Sequence, residues 1–391
     1  MTVLAAIVAA LCCLWIAQAA LVFRNLSQIR DLAKLTPPDP GRWPRVTTIM
    51  PARNEATDIA ASLESRLSDG YPDLEIVVVD DRSEDETPQI VAGFSAKDAR
   101  VRCVRIDELP EGWLGKVHAL HRGVEAASGE WLLFSDADIE VAPGMLGRAI
   151  AHCESNGFDL LALIPEFRSR SGMVDLLWAI FVRVMAMAAS PNSVRNPRSK
   201  VAVGSGGFTL VRRSMFDRTA GFEHLRLETA DDMALGAMCK AAGARCEYVN
   251  GRKAASVSIY DDLPAFFRGV EKNGSSLATA PFVAVAAVFA FLACLEYSPL
   301  VALGLGLGAH IGWLALLGAA ATVLATVATV VPLHRNTGLW LPALGWPLGW
   351  VLMAAGVVRS AWLVHRRGGV LWRGTFYPIA EVLAAQRFRI G

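Results

Sequence analysis

The sequence predicts an integral membrane protein that carries one α/β domain between apolar segments near its two ends. Three observations predict this class. Hydrophobic residues make up 53% of the 391 residues and charged residues only 19%, which is below the roughly 25% of an ordinary globular domain. The apolar residues concentrate near the two ends of the chain. The middle of the chain alternates short strand-like runs with helical patterns, as α/β domains do.

The charge composition excludes two other classes of protein. Lysine and arginine number 38 against 37 acidic residues, which gives a formal net charge of +1. This near-neutrality argues against a general nucleic-acid binder, and the apolar content excludes a disordered chain. The seven cysteines form no CxxC pair, so we expect reduced packing residues and a domain that faces the cytosol.

The N-terminal segment predicts an uncleaved membrane anchor over residues 1–24. Residues 3–23 contain no charge and approach the roughly 20 residues that a spanning helix needs. A cleaved signal peptide is the alternative, because Ala17-Gln18-Ala19 resembles a cleavage site. However, the preceding residues lack Lys and Arg, and the apolar run continues to Phe23.

Residues 25–45 predict a stiff linker on the cytoplasmic side of the membrane. Its prolines are Pro37, Pro38, Pro40 and Pro44, which prevent a continuous helix. The basic residues that follow the anchor are Arg24, Arg30, Lys34, Arg42 and Arg45. By the positive-inside rule they place the next domain in the cytoplasm.

The C-terminal region, residues 277–365, predicts two to three spans, followed by a basic tail at 366–391. Residues 277–334 contain one acidic residue, Glu296, and no Lys or Arg. They are long enough for two spans, with a break near Ser298-Pro299 or at the glycines 304, 306 and 308. A third segment covers about 339–358. Three spans would place the arginine-rich tail outside, against the charge rule, and we favour a cytosolic or interfacial tail.

Residues 173–189 are apolar around almost the whole circumference of a helix, with Asp175 and Arg183 as the interruptions. Two interpretations remain open for this segment. It is either a buried core helix or a helix that lies in the membrane interface beside the active site.

The middle domain predicts a mostly parallel sheet. Its strand-like runs are 46–50, 74–80, 101–106, 131–135 and 159–164, with helical patterns such as 55–68 and 117–127 between them. Ligands bind such sheets beyond the carboxyl ends of the strands, so we expect the chemistry in the residues that follow each strand.

Acidic clusters follow three of these strands. They are Pro51-Ala-Arg-Asn-Glu55, Asp80-Asp81-Arg-Ser83-Glu-Asp85-Glu-Thr87 and Asp136-Ala-Asp138. Solvated loops and helix caps at Asn54, Ser83 and Asp85 offer a simpler explanation for each cluster alone. Carboxylates that converge on one crevice repel each other unless a cation lies there. An Asp-x-Asp turn suits Mg²⁺ or Mn²⁺ that also contacts a diphosphate.

The ordered series PARNE, VVVDDRSEDET, GWLGKVHAL, FSDADIEVAP, VGSGGFTLVRR and ETADDMALG resembles the family 2 glycosyltransferases of the GT-A fold. It is similar in particular to their membrane-bound, lipid-modifying branch, which includes hopene-associated glycosyltransferases and ceramide glucosyltransferase relatives. The resemblance covers about residues 45–275. It implies a Rossmann-like, nucleotide-sugar-binding domain over 46–276, in a bacterial-type plasma membrane.

The resemblance also implies roles for individual residues. The nucleotide-sugar site would comprise Pro51, Ala52, Arg53, Glu55, Asp80, Asp81, Ser83, Lys116 and Asp136. Asp136 and Asp138 would form the DxD motif, with Asp138 the direct metal ligand. Asp232 would be the catalytic base in preference to Asp231, which would orient it or bind the acceptor. Gly204, Gly206 and Gly207 would let the backbone approach donor and acceptor.

One departure from the wider family concerns the helix after the base. Processive synthases and ceramide glucosyltransferases carry (Q/R)xxRW there, whereas this chain has Arg268 and Lys272 without the Trp. Their spacing places both on one helix face, where they would meet the diphosphate, the solvent or lipid headgroups. This departure counts against a polysaccharide synthase.

The resulting expectation is an inverting glycosyltransferase that needs Mg²⁺ or Mn²⁺. It would take a sugar from a nucleotide-diphosphate sugar and pass it to a hydroxyl of a lipid in the bilayer, without a nucleic-acid partner. Transfer to a polyprenyl phosphate is one alternative. A catalytically silent GT-A scaffold in a lipid-synthesis complex is another.

Overall fold

The computed structural model describes residues 2–188, 190–271 and 280–387, and the chain divides into two compact units. The helical unit comprises Met1–Gln28, Ser169–Ser190 and Tyr260–Ile379. The α/β unit comprises Ile29–Arg168, Pro191–Ile259 and Ala380–Gly391. The boundaries therefore follow packing and not chain order, because an apolar helix inserted into the α/β sequence belongs to the helical unit.

Helices and strands are numbered along the whole chain. The helices are α1 (Thr2–Leu26), α2 (Ile59–Leu67), α3 (Thr87–Lys97), α4 (Gly115–Ala126), α5 (Met145–Asn156), α6 (Gly172–Ala188), α7 (Pro191–Arg195), α8 (Arg213–Phe216), α9 (Asp231–Ala241), α10 (Leu263–Gly269), α11 (Phe282–Gly308), α12 (Gly312–Thr337), α13 (Trp346–Arg367) and α14 (Ile379–Ala385). The strands are β1 (Arg30–Asp31), β2 (Val46–Ala52), β3 (Leu74–Asp81), β4 (Val101–Ile106), β5 (Trp131–Phe134), β6 (Glu140–Val141), β7 (Leu160–Phe167), β8 (Thr209–Arg212), β9 (Cys246–Val257), β10 (Gly369–Trp372) and β11 (Thr375–Pro378). Short 3-10 turns cover Leu32–Lys34, Phe222–Leu225 and Leu341–Gly345.

The α/β unit is built on a mostly parallel sheet, as the sequence predicts. The strand order is β1-β9-β7-β8-β5-β2-β3-β4, and β6 pairs with β9. Within this order β8 runs antiparallel to both of its neighbours, while the other neighbouring pairs are parallel. All five strand-like runs of the sequence form strands. The carboxyl ends of β2, β3 and β5 consequently lie at one edge of the sheet.

Helix α4 packs closely on the centre of this sheet. All residues of β3 are buried, and Ala119 of α4 packs against Val77, Val79 and Ile106. A Cβ atom on Gly123 would lie 2.3 Å from the Ile49 Cγ2 atom, so only glycine allows the helix to approach β2 this closely. This packing fixes the N-terminus of α4 beside the carboxyl ends of β2 and β3.

In the described part of the helical unit, four helical segments are long and apolar enough to cross a membrane: Thr2–Leu26, Phe282–Gly308, Gly312–Thr337 and Leu341–Arg367. The chain breaks after Gly308 and not at Ser298-Pro299, which lies inside α11. Pro299 has no N–H for the Leu295 carbonyl, but the Ser298 hydroxyl donates to that oxygen at 2.8 Å, which satisfies it. Helix α13, in the last of these segments, continues to Arg367, beyond the predicted end near 358. Arg359, Arg366 and Arg367 are therefore helical.

Helix α6 lies within the helical unit. Ile180 packs in one buried cluster with Trp15, Leu295 and Trp346. Its Arg183 is buried and pairs with the buried Glu296, with 2.5 Å between Nη2 and Oε1. The sequence left two interpretations open for this segment, and the structure shows that α6 is a packed helix with a buried ion pair.

The ion pair joins four helices through its side-chain hydrogen bonds. Arg183 Nη1 donates to the Thr329 hydroxyl at 3.1 Å, and Trp15 Nε1 donates to Glu296 Oε2 at 3.3 Å. Residues from α1, α6, α11 and α12 thus share one polar cluster. Because both charges are removed from water, each needs the opposite charge of the other for its stabilisation.

Removing one partner of this pair is expected to destabilise the helical unit. The Glu296→Leu variant leaves the Arg183 guanidinium buried without its counter-charge, a loss of about 3–5 kcal/mol. Thermal unfolding in detergent would measure it. The double variant Arg183→Met/Glu296→Leu should recover most of the stability, because it leaves neither charge buried. Equal melting temperatures for Glu296→Leu and wild type would contradict this prediction.

Candidate active site

The loops after β2 and β3 are joined by hydrogen bonds from backbone amides to side chains. The Asn54 N–H donates to the Ser83 hydroxyl at 3.0 Å, and the Glu84 N–H donates to Asn54 Oδ1 at 2.8 Å. The Glu55 N–H donates to the Thr87 hydroxyl at 2.8 Å. Asn54 and Ser83 thus connect two loops. They do not cap helices, so the helix-cap explanation does not apply to these two residues.

Asp80 and Asp81 lie at the end of β3, beside this loop pair. The Asp80 side chain is fully buried. Its Oδ1 accepts from the Ser83 N–H at 3.2 Å, and its Oδ2 has no hydrogen-bond partner among the described residues. Asp81 pairs with Arg82, with 2.7 Å between Oδ1 and Nε. A Cβ atom on Gly115 would lie 2.4 Å from Asp81 Oδ2, so the start of α4 must be glycine here.

The structure therefore brings the predicted nucleoside-binding residues onto two neighbouring loops of the α/β unit. They are Pro51, Ala52, Arg53, Glu55, Asp80, Asp81 and Ser83. Their position at the carboxyl ends of parallel strands is the place where such sheets bind ligands.

Lys116 connects the DxD loop to the start of α9. Its Nζ lies 2.7 Å from Asp136 Oδ1 and 3.3 Å from Asp231 Oδ2. Burial alone would lower the pKa of Lys116, but the carboxylates of Asp136, Asp231 and Asp232 raise it above its ordinary value. The lysine is consequently a permanent positive charge among three carboxylates.

Asp138 has the properties of a cation ligand. Its Oδ1 is buried and has no hydrogen-bond partner among the described residues. Burial, together with the neighbouring carboxylates of Asp136 and Glu55, raises the pKa of Asp138 to about 7. A carboxylate in such a place is stabilised by a cation.

The donor set of the DxD loop fits a metal that also binds a ligand. The described residues contain no group of three or more His, Cys, Asp or Glu that could hold a metal. Mg²⁺ commonly uses one or two carboxylates together with substrate phosphates, and Asp136 and Asp138 match that smaller donor set.

The glycine loop before β8 brings the Asp136 loop and Asp232 together. The Asp136 N–H donates to the Gly206 carbonyl at 3.1 Å, and the Gly206 N–H donates to Asp232 Oδ2 at 2.8 Å. A Cβ atom on Gly204 would lie 1.8 Å from the Asp232 carbonyl oxygen, and one on Gly207 would lie 2.9 Å from Ile139 Cδ1. Close packing therefore calls for glycine at these positions, whereas a loop without such contacts would accept other residues.

Asp231 and Asp232 begin α9 and differ in their surroundings. Asp231 is 7% exposed and pairs with Lys116. Asp232 is more exposed and lines a cleft with Pro51, Lys116 and Asp136. Besides the Gly206 N–H, its carboxylate accepts the Met233 N–H at 2.8 Å. Asp231 also lines this cleft, so the two carboxylates differ in exposure, and Asp232 is the more accessible of them.

The structure does not test two of the predicted diphosphate-binding residues. Arg268 lies in α10 of the helical unit, and Lys272 lies outside the described residues. Their contact with a diphosphate stays a prediction.

Sequence analysis missed Arg66 and Ser135. Arg66 is 3% exposed and donates to the Ser135 hydroxyl at 2.6 Å, directly beneath the DxD loop. The available signal was an arginine on the apolar face of α2, seven residues after Ile59 and three after Leu63.

The sheet topology, the pocket at the strand ends and the Asp-x-Asp loop define a glycosyltransferase domain of the GT-A type. Residues 47–219 match the family model described as Glycosyl transferase family 2. The chain therefore carries a family 2 glycosyltransferase domain, and the protein is a glycosyltransferase, as the motifs predict.

Two curated relatives and one solved structure agree with this family. The chain is 36% identical over 123 residues to the succinoglycan biosynthesis protein ExoO of Rhizobium meliloti, a match to 32% of this chain and about a third (34%) of that protein. It is 23% identical over 342 residues to the 4,4'-diaponeurosporenoate glycosyltransferase of Staphylococcus aureus, covering 86% of this chain and 89% of the relative. A mannosyltransferase of Pyrobaculum calidifontis, solved with GDP-Man and Mn²⁺, superposes with a TM-score of 0.56 at 21% identity over 92% of this chain and 99% of that one. The last likeness shows the fold alone.

Replacing Gly206 by alanine is expected to reduce turnover without unfolding the protein. A Cβ atom at this position would lie 3.0 Å from Asp136 Oδ2 and 3.4 Å from Lys116 Nζ. The site must therefore shift by a fraction of an ångström, which costs about 10- to 100-fold in rate when reacting groups are displaced. Gly93→Ala is the matched control, because nothing lies within 4 Å of its added Cβ. A Gly206→Ala enzyme as fast as Gly93→Ala would refute the expectation.

Proposed function

We propose that the protein is a membrane-anchored, inverting glycosyltransferase that moves a sugar from a nucleotide-sugar donor to a hydroxyl of a lipid acceptor. The observation that carries this proposal is the convergence of Lys116, Asp136 and Asp232 around Gly206. A buried Asp138 oxygen in the same loop has no hydrogen-bond partner among the described residues. A scaffold that only binds partners has no need for these carboxylates in one cleft.

The donor would bind in the pocket at the ends of β2 and β3, with its diphosphate toward Lys116 and the DxD loop. Asp136 and Asp138 would hold a divalent ion, Mg²⁺ or Mn²⁺, which would supply charge stabilisation to the departing nucleoside diphosphate. The Pyrobaculum calidifontis neighbour, solved with GDP-Man and Mn²⁺, supports a donor and metal of this class. Lys116 would add a fixed ammonium charge, since its carboxylate neighbours keep it protonated.

Asp232 would act as the general base. Hydrogen bonds from the Gly206 and Met233 amides hold its carboxylate at the cleft. It would accept the proton of the acceptor hydroxyl while that oxygen attacks the anomeric carbon opposite the leaving group. A single displacement of this kind inverts the anomeric configuration. Asp231 would orient Lys116 through their ion pair.

The lipid acceptor is supported by the helices and by one relative. Among the described residues, four helical segments are long and apolar enough to cross a membrane. By the positive-inside rule, the basic residues after the first segment favour a cytoplasmic α/β unit. The Staphylococcus aureus relative, which matches 86% of this chain, is named for 4,4'-diaponeurosporenoate. A polyprenyl phosphate remains the alternative acceptor of the same chemistry.

The test is nucleoside diphosphate release by the full-length protein in detergent. UDP-, GDP- and dTDP-sugars would each be supplied with Mn²⁺ or Mg²⁺, with and without membrane lipid extract or polyprenyl phosphate. We expect release that requires a metal, one donor and the lipid extract, and a glycolipid of inverted anomeric configuration. Nucleotide binding without release from any donor would instead support a scaffold, and release that requires polyprenyl phosphate would identify the alternative acceptor.

A further inference from the structure

We propose that Arg66 of α2 is a positioning residue that holds the DxD loop and the base in one arrangement through Ser135. This inference rests on the proposed function, because it assigns Arg66 to the assembly of that metal and nucleotide site. Arg66 itself lies beneath the loop and has no contact with the cleft residues Lys116 or Asp232 among its hydrogen bonds.

The Arg66 guanidinium donates to both ends of the DxD loop. Nη1 donates to the Ile139 carbonyl at 2.5 Å, and Nη2 donates to the Ser135 hydroxyl at 2.6 Å and to the Asp136 carbonyl at 3.4 Å. Ser135 precedes Asp136, and Ile139 follows Asp138. The planar fork of one arginine therefore spans the segment that carries both carboxylates, and a single ammonium group could not reproduce this pattern.

Hydrogen bonds and a short stretch of backbone, residues 206–207, link Arg66 to Asp232. The Ser135 hydroxyl accepts from Arg66 and donates to the Gly207 carbonyl at 2.7 Å. Next in that loop, the Gly206 N–H donates to Asp232 Oδ2. The position of the DxD loop is thereby linked to the position of Asp232, so the metal site and the base form together.

The charge of Arg66 also favours this role. The side chain is 3% exposed, and the carboxylates of Asp138 and Asp136 are the negative charges that act on it. The guanidinium remains charged at neutral pH. It is a fixed counter-charge near these two carboxylates, and it costs no reorganisation when a metal binds.

The experiment measures the Mn²⁺ concentration needed for half-maximal nucleotide binding by calorimetry. It uses full-length protein in detergent, with UDP, GDP and dTDP, and records melting temperatures in parallel. The variants are Arg66→Met, Arg66→Lys and Ser135→Ala. Arg213→Met is the matched control, because Arg213 likewise donates to backbone carbonyls, at Gly129 (3.0 Å) and Ala127 (2.7 Å), away from the DxD loop.

We expect Arg66→Met and Ser135→Ala to raise the required Mn²⁺ concentration about tenfold or more, the range seen when groups behind metal ligands are lost. Arg66→Lys should recover only part of this loss, whereas Arg213→Met should lower the melting temperature and leave the Mn²⁺ requirement unchanged. If Arg66→Met does not fold, Ser135→Ala decides the matter alone. An unchanged requirement in Ser135→Ala overturns the role of Arg66, while wild-type protein that binds none of the nucleotides with Mn²⁺ overturns the proposed function itself.

Discussion

Asp232→Asn is expected to lower kcat by about 10²- to 10⁴-fold, the contribution of a positioned general base, while nucleotide binding persists. Asparagine keeps the shape of the side chain and can still accept one of the two amide hydrogen bonds from Gly206 and Met233. It cannot accept the proton of an acceptor hydroxyl. Initial rates at saturating donor, together with calorimetric nucleotide binding, would measure the two effects separately.

Asp231→Asn is the matched control for this substitution. Asp231 is the neighbouring carboxylate in the same helical turn, but it is buried against Lys116. We expect a smaller fall in kcat and weaker nucleotide binding, because the lysine loses one of its partners. The opposite order, with turnover surviving in Asp232→Asn and disappearing in Asp231→Asn, would assign the base to Asp231.

Asp138→Asn is expected to reduce turnover by about 10²- to 10³-fold or more, since one preorganised electrostatic contact to developing charge contributes that much. The Asp138 Oδ1 atom is buried without a hydrogen-bond partner among the described residues. An amide in its place removes the negative charge and places an N–H₂ group or a neutral oxygen toward the cation. Nucleotide binding should lose its dependence on Mn²⁺ or Mg²⁺, and treatment of the wild type with EDTA should reproduce the loss of turnover.

Asp107→Asn provides a control at another strand end. Asp107 directly follows β4, but its side chain is 83% exposed and lies beside Arg105. We expect wild-type turnover and wild-type metal dependence in this variant. Turnover in Asp138→Asn equal to that in Asp107→Asn would show that the DxD loop has no catalytic part, and would favour the scaffold.

The sequence was sufficient to locate the sheet and the catalytic loops. Hydrophobic runs of strand length, each followed by polar residues, determine both the strands and the edge where their loops meet. Asp80 and Asp136 could therefore be assigned to one region from their places at the end of β3 and after β5. Lys116, at the start of α4, was added to that region by the family resemblance. The order of the motifs then indicated the family.

Features that depend on distant partners could not be predicted. Arg66 obtains three of its hydrogen-bond acceptors from residues 135–139, about 70 positions further along the chain, so its place on the apolar face of α2 does not reveal what it binds there. The Ser298 hydroxyl allows α11 to pass through Pro299, although proline normally indicates a break. The last span includes basic residues up to Arg367, because a helix can continue past its apolar stretch when long side chains extend away from it.

The buried pair of Arg183 and Glu296 has a consequence for biogenesis. Its two members are separated by 113 residues, and Arg183 leaves the ribosome first. Until Glu296 has been synthesised, α6 carries an arginine without its counter-ion. Trp15 of α1, the cation–π partner of Arg183, has been synthesised by then. A nascent chain that stops before α11 would contain the strands and motifs of the catalytic domain and would still present an uncompensated charge to membrane quality control. The buried ion pair that holds α6 can therefore form only after α11 has been synthesised.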